Sequence, residues 1–354
     1  MRIGEFSIEH GGRVFVVAEL SANHGQRFDV AEKTLRAMKD AGADAVKLQT
    51  FRPESMTLNS DLPQFQARTG TIWEGRRLFD LYKEAQTPYE WHPQLQRIAK
   101  DIGLEFFSSP FDVEASDFLE KLDLPAYKIA SPEITDIPLI WHVAKKGKPV
   151  ILSSGIATWE ELERAVATCR DAGNRQIAVL KCTTAYPAKV NDANLRSIPI
   201  ITAQLSVLSG ISDHTPGFIV PAAATALGGN IIEKHFILDR SMNTLDASFS
   251  MEPKEFREMV DIVRDVETAL GETKYKLGQG GIKGRASARS VYIISNLKKG
   301  DLLSTQNCKT LRPAGGEDPA LLPIILGNRV SRAIEKGTPF EMSMIDSETS
   351  TGSS

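Results

Sequence analysis

The sequence predicts an α/β protein built as a (β/α)₈ TIM barrel and followed by a small C-terminal domain. From Val14 onward, short apolar runs alternate with helical patterns eight times over about 260 residues. Strand–helix–strand units of this kind place parallel strands side by side. The competing architecture is an open doubly wound sheet, but no glycine-rich dinucleotide turn follows the first strand. The regular repeats therefore favour a closed barrel.

Eight short segments rich in apolar or β-branched residues are the predicted strands. They are Val14–Leu20, Ala43–Gln49, Leu104–Ser108, Ala126–Ala130, Pro149–Ser153, Gln176–Cys182, Val207–Ser212 and Asn230–Phe236. The segment Val207–Ser212 contains a glycine, which weakens its strand pattern.

Helical patterns with apolar residues three or four positions apart lie between these strands and after the last one. They are Val30–Ala41, Pro93–Ile102, Glu114–Leu122, Pro138–Lys146, Thr158–Ala172, Asn194–Ala203, Pro216–Leu227 and Glu252–Leu270. A long insertion, Thr50–Glu90, follows the second strand and contains several aromatic residues. It lies on the face where barrel enzymes hold their active sites, so it is predicted to be a lid or substrate wall, or else a surface elaboration.

The C-terminal part of the chain is predicted as a separate domain. Residues 1–277 form the predicted catalytic domain, and residues 278–288 the linker, whose segment Gly278–Gly284 has four glycines in seven positions and indicates flexibility rather than regular structure. Residues 289–346 form a compact small domain with little core of its own, so it is expected to dock on another surface. Residues 347–354 are small and polar and are expected to be disordered.

Composition excludes several classes of protein. The chain is 42 % hydrophobic and 25 % charged, as soluble globular proteins are, and its net charge of -3 gives no basic field for nucleic acid. No apolar run approaches the roughly 18 residues of a membrane span, and the first residues lack the apolar core of a signal peptide. Three widely spaced cysteines, Cys169, Cys182 and Cys308, argue for a reducing compartment. We therefore expect a cytoplasmic protein with no nucleic-acid or membrane partner.

Polar side chains follow every predicted strand at its C-terminal end, where barrel enzymes carry their catalytic residues. They are Glu19, Asn23, His24, Lys47, Gln49, Ser108, Ser109, Lys128, Ser131, Glu133, Ser153, Ser154, Lys181, Thr183, Thr184, Tyr186, Ser212, Asp213, His214, Glu233, Lys234, His235 and, on the last loop, Asp246. Buried charges must be paired or must meet a ligand. The set predicts one site for a small polar ligand at one end of the barrel.

The lysines and glutamates each allow two interpretations. Lys47 and Lys128, with several hydroxyl groups, would hold a small, highly anionic ligand by charge-assisted hydrogen bonds, or each would pair with a neighbouring carboxylate. Glu133 and Glu19 would act as a general base or hold a substrate hydroxyl, or would form internal salt bridges. A different mechanism, a Schiff-base aldolase, would use Lys128 or Lys181 as its amine.

The two histidines near the ends of the last two strands, His214 and His235, suggest a metal site. Parallel strands joined by a helix bring both imidazoles to the same end of the sheet. Two histidines with room for oxygen ligands suit a catalytic divalent ion that polarises a carbonyl group. The alternative is two unrelated histidines, one capping a helix and the other packed in a core.

Eight ordered motifs also carry a resemblance to a known family. They are ELSANHG (Glu19–Gly25), VKLQT (Val46–Thr50), FSSPFD (Phe107–Asp112), AYKIAS (Ala126–Ser131), KPVILSSG (Lys148–Gly155), CTTAYP (Cys182–Pro187), GISDHT (Gly210–Thr215) and EKHF (Glu233–Phe236). Together they resemble the sialic acid synthase family from about Val14 to Ile345, and the C-terminal segment resembles its antifreeze-like (SAF, β-clip) domain. Within the family, LYKEAQTPYEWH (Leu81–His92) and KIASPEITDIPLI (Lys128–Ile140) are most similar to the pseudaminic acid synthase branch.

The resemblance implies that phosphoenolpyruvate condenses with the open-chain aldehyde of an N-acetylated sugar, giving phosphate by C–O cleavage and a nine-carbon 2-keto acid. Phosphoenolpyruvate would contact Lys47, Ser109, Lys128, Ser131, Ser153, Thr184, Tyr186 and Ser212. The sugar would contact Asn23, His24, Glu133, Tyr186, Asp246 and Arg312. His214 and His235 would bind Mn²⁺, or Mg²⁺ or Co²⁺, and they would form the catalytic set with Lys128 and the proton-transfer residue Glu133.

The resemblance further implies a homodimer in which Arg312 of the small domain reaches the sugar in the partner's barrel. Two departures bear on the substrate. Gly25 follows His24, where relatives that use N-acetylmannosamine carry a glutamate, and this favours a 2,4-diacetamido-2,4,6-trideoxy sugar. The resemblance to the pseudaminic acid synthase branch implies the L-altrose form of that sugar. Thr184 replaces an asparagine, but its hydroxyl can still donate to phosphate. The alternatives are synthesis of N-acetylneuraminic or legionaminic acid, the aldolase, and a non-enzymatic carbohydrate-binding protein.

Overall fold

The computed structural model describes residues 1–272 and 274–346. It contains two compact units, Met1–Gly271 and Glu272–Ser354. The prediction of disorder for residues 347–354 lies outside the described residues.

Eight parallel strands in the described part of the first unit close a barrel, which confirms the predicted fold. After a short N-terminal hairpin, Arg2–Ile3 (β1) and Phe6–Ser7 (β2), the barrel strands are Phe15–Glu19 (β3), Ala45–Thr50 (β4), Glu105–Pro110 (β5), Tyr127–Ile129 (β6), Val150–Ser153 (β7), Ile177–Cys182 (β8), Leu208–Asp213 (β9) and Ile231–His235 (β10). Strand β10 pairs with both β9 and β3, so that His235 lies opposite Glu19. Each predicted barrel strand is present, with ends that differ by at most two residues.

Helices follow the barrel strands along the chain. They are Phe28–Asp40 (α1), Pro53–Met56 (α2), Leu78–Ala85 (α3), His92–Asp101 (α4), Val113–Lys121 (α5), Ile137–Lys145 (α6), Trp159–Asp171 (α7), Ser197–Leu205 (α8), Ile219–Ala226 (α9) and Pro253–Leu270 (α10). Local signals set their starts: Thr158 and Glu161 form a capping box at α7, and Asp112 accepts a hydrogen bond from the Ala115 amide at α5. Helices α2 and α3 lie in the insertion.

Successive side chains along each barrel strand point to opposite faces, so the strands separate two apolar cores. Inward side chains such as Phe15, Val17 and Ile151 fill the barrel interior, and Ile3 and Ile8 at the N-terminal hairpin join this cluster. Neighbouring residues such as Val16 belong to the outer core, between strands and helices. This period of two also decides which polar residues at the strand ends face the interior. The N-terminal hairpin is not among the elements that the sequence predicts.

The second unit has its own small core. Strands Ser290–Ile293 (β11) and Cys308–Leu311 (β12) pair antiparallel, and a short helix, Leu322–Ile325 (α12), follows. The cluster of buried apolar residues at its centre consists of Val291, Ile293, Leu297, Leu303, Cys308, Ile325, Val330, Ile334, Phe340 and Met344. Its antifreeze-like character stays a prediction.

The glycine-rich segment differs from the prediction of flexible, irregular chain. Residues Gln279–Gly284 form a short helix (α11), in which the Ile282 amide donates to the Gly278 carbonyl at 3.0 Å. Backbone hydrogen bonds along the chain suffice for one helical turn even where glycine disfavours a longer helix. In the described ranges, no helix combines the length and apolar character of a membrane span.

Candidate active site

Two buried lysines and one glutamate form the centre of the candidate site. Lys47 on β4 and Lys128 on β6 are 4 % and 2 % exposed. Glu233 Oε1 lies 3.7 Å from Lys47 Nζ and 3.8 Å from Lys128 Nζ, and it accepts a 3.0 Å hydrogen bond from Ser212 Oγ. Lys47 also pairs directly with Glu19. The lysines thus do pair with barrel carboxylates, and their remaining donors are available to an anion because each ammonium has three N–H groups.

The charges of this centre depend on burial and on mutual attraction. Burial raises the pKa of the Glu233 carboxyl, but the charges of Lys128 and Lys47 outweigh burial and leave it lowered, so Glu233 is ionised. Burial lowers the pKa of Lys128, and Glu233 only partly compensates. An added anion near both ammonium groups would therefore stabilise their charged forms.

Serine hydroxyls on neighbouring strands surround the lysines. Lys128 Nζ donates to Ser153 Oγ at 2.5 Å, and Lys47 Nζ donates to Ser109 Oγ at 3.3 Å. With Ser212, the structure brings together three of the predicted phosphoenolpyruvate contacts and both lysines. Such a set of cations and hydroxyls is suited to carboxylate or phosphate oxygens.

Gly155, which the sequence analysis did not single out as a site residue, forms a cradle for two more of these contacts. A Cβ atom on Gly155 would lie 2.0 Å from Ser131 Oγ and 2.6 Å from Thr184 Cγ2. Ser131 is buried and accepts a hydrogen bond from the Ile156 amide at 3.0 Å, whereas Thr184 is exposed. The close approach of Ser131 and Thr184 to the Gly155 backbone identifies this glycine as a site residue. The approach is visible in the structure but not in the sequence.

The two histidines are neighbours, so the interpretation as unrelated residues is wrong. Their ring centroids are 5.1 Å apart. His214 Nδ1 donates to the Thr183 carbonyl at 3.0 Å, which leaves Nε2 as its free nitrogen, and the buried His235 Nδ1 has no hydrogen-bond partner. Burial lowers the pKa of both, to about 4 for His214, so both imidazoles are neutral.

Neutral, buried imidazoles with free nitrogens suit a divalent ion as two of its ligands. Among the residues that the structure describes, no three His, Cys, Asp or Glu side chains form a metal-binding group. Metal binding by His214 and His235 stays a prediction.

Glu133 combines burial with an unsatisfied oxygen. It lies in the 3₁₀ turn Pro132–Thr135 after β6, and its buried Oε2 has no hydrogen-bond partner. Burial raises the pKa of this carboxyl to about 7, against the partial opposing effect of the Lys128 charge. A carboxyl that is half protonated near neutral pH is suited to give and take a proton.

An aromatic group and one carboxylate lie beside the histidines. The Tyr186 ring is 4.6 Å from the His214 ring and 5.1 Å from the Phe249 ring. Asp246 Oδ2 accepts a 2.5 Å hydrogen bond from Ser21 Oγ and lies 3.7 Å from His235 Nδ1. Two of the six predicted sugar contacts, Tyr186 and Asp246, are thus next to the candidate metal ligands.

The other two predicted sugar contacts in the barrel bond within the protein. Asn23 Nδ2 donates to the Phe236 carbonyl at 2.9 Å and to Ser250 Oγ at 2.7 Å. His24 Nδ1 accepts from the Gln26 amide at 3.1 Å, and its Nε2 is 3.3 Å from Thr87 Oγ1. The structure places these side chains between loops; their role in sugar binding stays a prediction, as does that of Arg312, which is exposed in the second unit.

Strand alternation sorts the remaining polar residues. Asp213 and Lys234 alternate with the inward Ser212 and Glu233, and they form a buried 2.8 Å ion pair with each other. Lys181 alternates with the inward Leu180, and its Nζ donates to the Cys182 carbonyl at 2.8 Å. Glu233 lies among the polar strand-end residues without a specific predicted role, although an inward His235 two residues later implies that Glu233 faces inward as well.

Comparisons with known proteins find similar sequences and structures over most of the length of this chain. The NeuB family model matches residues 34–275. Pseudaminic acid synthase of Helicobacter pylori is 45 % identical over 332 residues, covering 94 % of this chain and 97 % of the relative. Pseudaminic acid synthase of Campylobacter jejuni serotype O:23/36 is 44 % identical over 337 residues, covering 95 % and 97 %. The crystal structure of N-acetylneuraminic acid synthetase from Leptospira borgpetersenii, in complex with citrate, has a TM-score of 0.72 at 29 % identity and covers 80 % of this chain and 94 % of its own.

Proposed function

The chain belongs to the NeuB family, and we propose that it catalyses the pseudaminic acid synthase reaction. In this reaction phosphoenolpyruvate, water and 2,4-diacetamido-2,4,6-trideoxy-L-altrose give pseudaminic acid and phosphate. The observation that carries the proposal is the pair of buried lysines, Lys47 and Lys128, beside two neighbouring histidines at one end of the barrel. The identity of 44 % or more to two pseudaminic acid synthases supports this sugar over other acetamido sugars.

Phosphoenolpyruvate would bind to the lysines and the hydroxyls around them. Lys47 and Lys128 would neutralise its carboxylate and phosphate, while Ser109, Ser153 and Ser212 orient its oxygens. Glu233, between the two ammonium groups, holds both lysines in place through its Oε1. The enol carbon C3 would then attack the aldehyde carbon, and cationic character would develop at C2.

A divalent ion, Mn²⁺ in our proposal, would bind the free nitrogens of His214 and His235. When bound, such an ion would polarise the sugar aldehyde. Asp246 and Tyr186, which lie beside the histidines, would bind sugar hydroxyls.

Glu133 would serve as both the proton donor and the proton acceptor of the reaction. In its neutral form it would donate to the aldehyde oxygen as that oxygen becomes a hydroxyl group. It would then accept a proton from the water that adds at C2. Phosphate would leave by C–O cleavage, the proton of the new C2 hydroxyl would leave with it, and the 2-keto acid would be complete. The raised pKa of Glu133 supports both roles near neutral pH.

The test is a product assay by mass spectrometry with phosphoenolpyruvate and a panel of acetamido sugars. We expect pseudaminic acid and phosphate in equal amounts from the trideoxy-L-altrose sugar, and at least a hundredfold loss in Lys128→Met. Borohydride added during turnover should trap no adduct, whereas a covalent adduct at Lys128 would establish the aldolase mechanism. Turnover of N-acetylmannosamine alone would overturn the sugar assignment.

Metal binding can be measured apart from turnover. Titration calorimetry with Mn²⁺ should show one site in the wild-type protein and a loss of affinity in His214→Ala and in His235→Ala. Unchanged Mn²⁺ affinity in either variant would contradict the assignment of these ligands.

A further inference from the structure

The insertion after β4 contains a hairpin-like loop between its helices α2 and α3. We define the lid hairpin as residues 66–77: Gln66 and Arg77 form an antiparallel bridge, and the Ala67 amide donates to the Arg76 carbonyl at 2.8 Å. In its tip, residues 68–76, Trp73 alone is not exposed. The tip is also held to the rest of the insertion by the ion pair between Arg76 and Glu84 at 2.6 Å.

Trp73 reaches the loop and the ring that flank the candidate sugar position. Its indole Nε1 donates to the carbonyl of Leu245, the residue before Asp246, at 3.2 Å. Its ring is 5.8 Å from the Tyr186 ring, which in turn contacts His214. Trp73 thereby connects the lid hairpin to Tyr186 and to the residue next to Asp246. Tyr186 and Asp246 are two of the predicted sugar contacts.

A cavity of about 370 Å³ lies beside Trp73 and the loop that carries Asp246. Ile72, Trp73, Leu245 and Ala247 give it an apolar side, and Thr244 and Ser248 contribute hydroxyls. This mixed lining matches an acetamido group, which has a methyl end and an amide end, better than it matches a row of hydroxyls.

The charges around the cavity favour a neutral ligand group. Two arginines line it, but Arg76 pairs with Glu84 at 2.6 Å, and Arg240 pairs with Glu255 and, at 3.8 Å, with Glu252. Each arginine charge is thus balanced by at least one carboxylate. A phosphate or carboxylate would have to compete with these ion pairs, whereas a neutral group would not.

We propose that Trp73 is a specificity-determining residue and that the cavity beside it receives the 4-acetamido and 6-methyl end of the sugar. This inference rests on the proposed function. N-acetylmannosamine carries hydroxyls at both positions, so it would leave the apolar side of the cavity without a partner. The lid hairpin would thus select the trideoxy sugar independently of the phosphoenolpyruvate site.

The test compares Trp73→Ala, which removes the ring and the donor, with Trp73→Phe, which keeps a ring and loses only the N–H. For the trideoxy sugar we expect kcat/KM to fall about tenfold or more in Trp73→Ala and only a few fold in Trp73→Phe. The preference for this sugar over N-acetylmannosamine should fall with it, and KM for phosphoenolpyruvate should stay within about twofold. Trp141→Ala is the matched control, because Trp141 is 41 % exposed on α6 and packs against Lys145.

Two outcomes would overturn the inference. One is unchanged sugar preference in Trp73→Ala, and equal losses with both sugars would mark Trp73 as a general support of the site. The other is a rise of KM for phosphoenolpyruvate well beyond twofold, which would show that the effect of Trp73 is not confined to the sugar. Failure of the proposed function looks different, because the wild-type protein would then release no phosphate with any acetamido sugar.

Discussion

Replacing Gly155 with alanine tests whether the cradle beside Ser131 and Thr184 binds phosphoenolpyruvate. The new Cβ would lie 2.0 Å from Ser131 Oγ, 2.6 Å from Thr184 Cγ2 and 2.8 Å from Ser131 Cβ. Contacts this short cannot persist, so both side chains must move. Ser131 would then lose its 3.0 Å hydrogen bond from the Ile156 amide. Overpacking of this kind costs about 1–3 kcal/mol of stability.

The expected effect on binding is selective. Loss of one hydroxyl contact to a charged group is worth about 1.5–3 kcal/mol, so KM for phosphoenolpyruvate should rise roughly tenfold or more. KM for the sugar should change by less than about twofold. Steady-state phosphate release with each substrate varied in turn measures both values, and thermal unfolding should show a decrease of several degrees in Tm.

Gly280→Ala is the matched control, because nothing lies within 4 Å of the position of its added Cβ. It should leave both KM values unchanged. If Gly155→Ala lowers Tm but leaves KM for phosphoenolpyruvate unchanged, the cradle is structural and the assignment of Ser131 and Thr184 is wrong.

Three further predictions follow from buried or exposed charged groups. Asp213→Asn and Lys234→Met should each lower the free energy of unfolding, measured by urea denaturation, by about 3–5 kcal/mol, because each leaves a buried charge unpaired. The double variant should lose less than the sum of the two single losses. Additive losses would show that the two residues are not coupled. Burial lowers the pKa of His92 in the folded protein to about 4, whereas the pKa in the unfolded chain is the ordinary histidine value of 6.5. Between pH 6.5 and pH 4 the unfolded chain therefore binds a proton at His92 that the folded protein does not bind. The free energy of unfolding is lost as pH falls below 6.5. Unfolding free energy should therefore fall by about 2 kcal/mol less between pH 7.5 and pH 5 in His92→Gln than in wild type, and equal losses would refute this. If Arg312 serves the partner subunit, mixing the inactive variants Arg312→Ala and Lys128→Met should restore activity by forming hybrid dimers, whereas no recovery after subunit exchange would contradict that role.

The barrel was predictable because its strands are short apolar runs and its helices have clear starts and stops. Even Leu208–Asp213, whose glycine weakened the pattern, is a strand: Gly210 has no Cβ, and a Cβ there would lie 2.0 Å from the Ile231 carbonyl oxygen. The N-terminal hairpin was not predictable, because strands of two residues carry too little pattern.

The candidate site was only partly predictable, because strand-end position does not state side-chain direction. Asp213 and Lys234 were grouped with the histidines, yet alternation turns them away from the interior, where they pair with each other. Glu233 was inward by the same rule but received no role. The Gly155 cradle and the Trp73 anchor join residues far apart in the chain, and no local pattern reports such contacts.

The fate of the bridging oxygen of phosphoenolpyruvate tests the central claim most directly. Phosphoenolpyruvate labelled at this oxygen with a heavy isotope is incubated with the protein, Mn²⁺ and the trideoxy-L-altrose sugar, and the products are analysed by mass spectrometry. We predict that the label appears in phosphate and that the 2-keto acid takes its C2 oxygen from water. Label retained in the keto acid, or no phosphate release, would contradict the account.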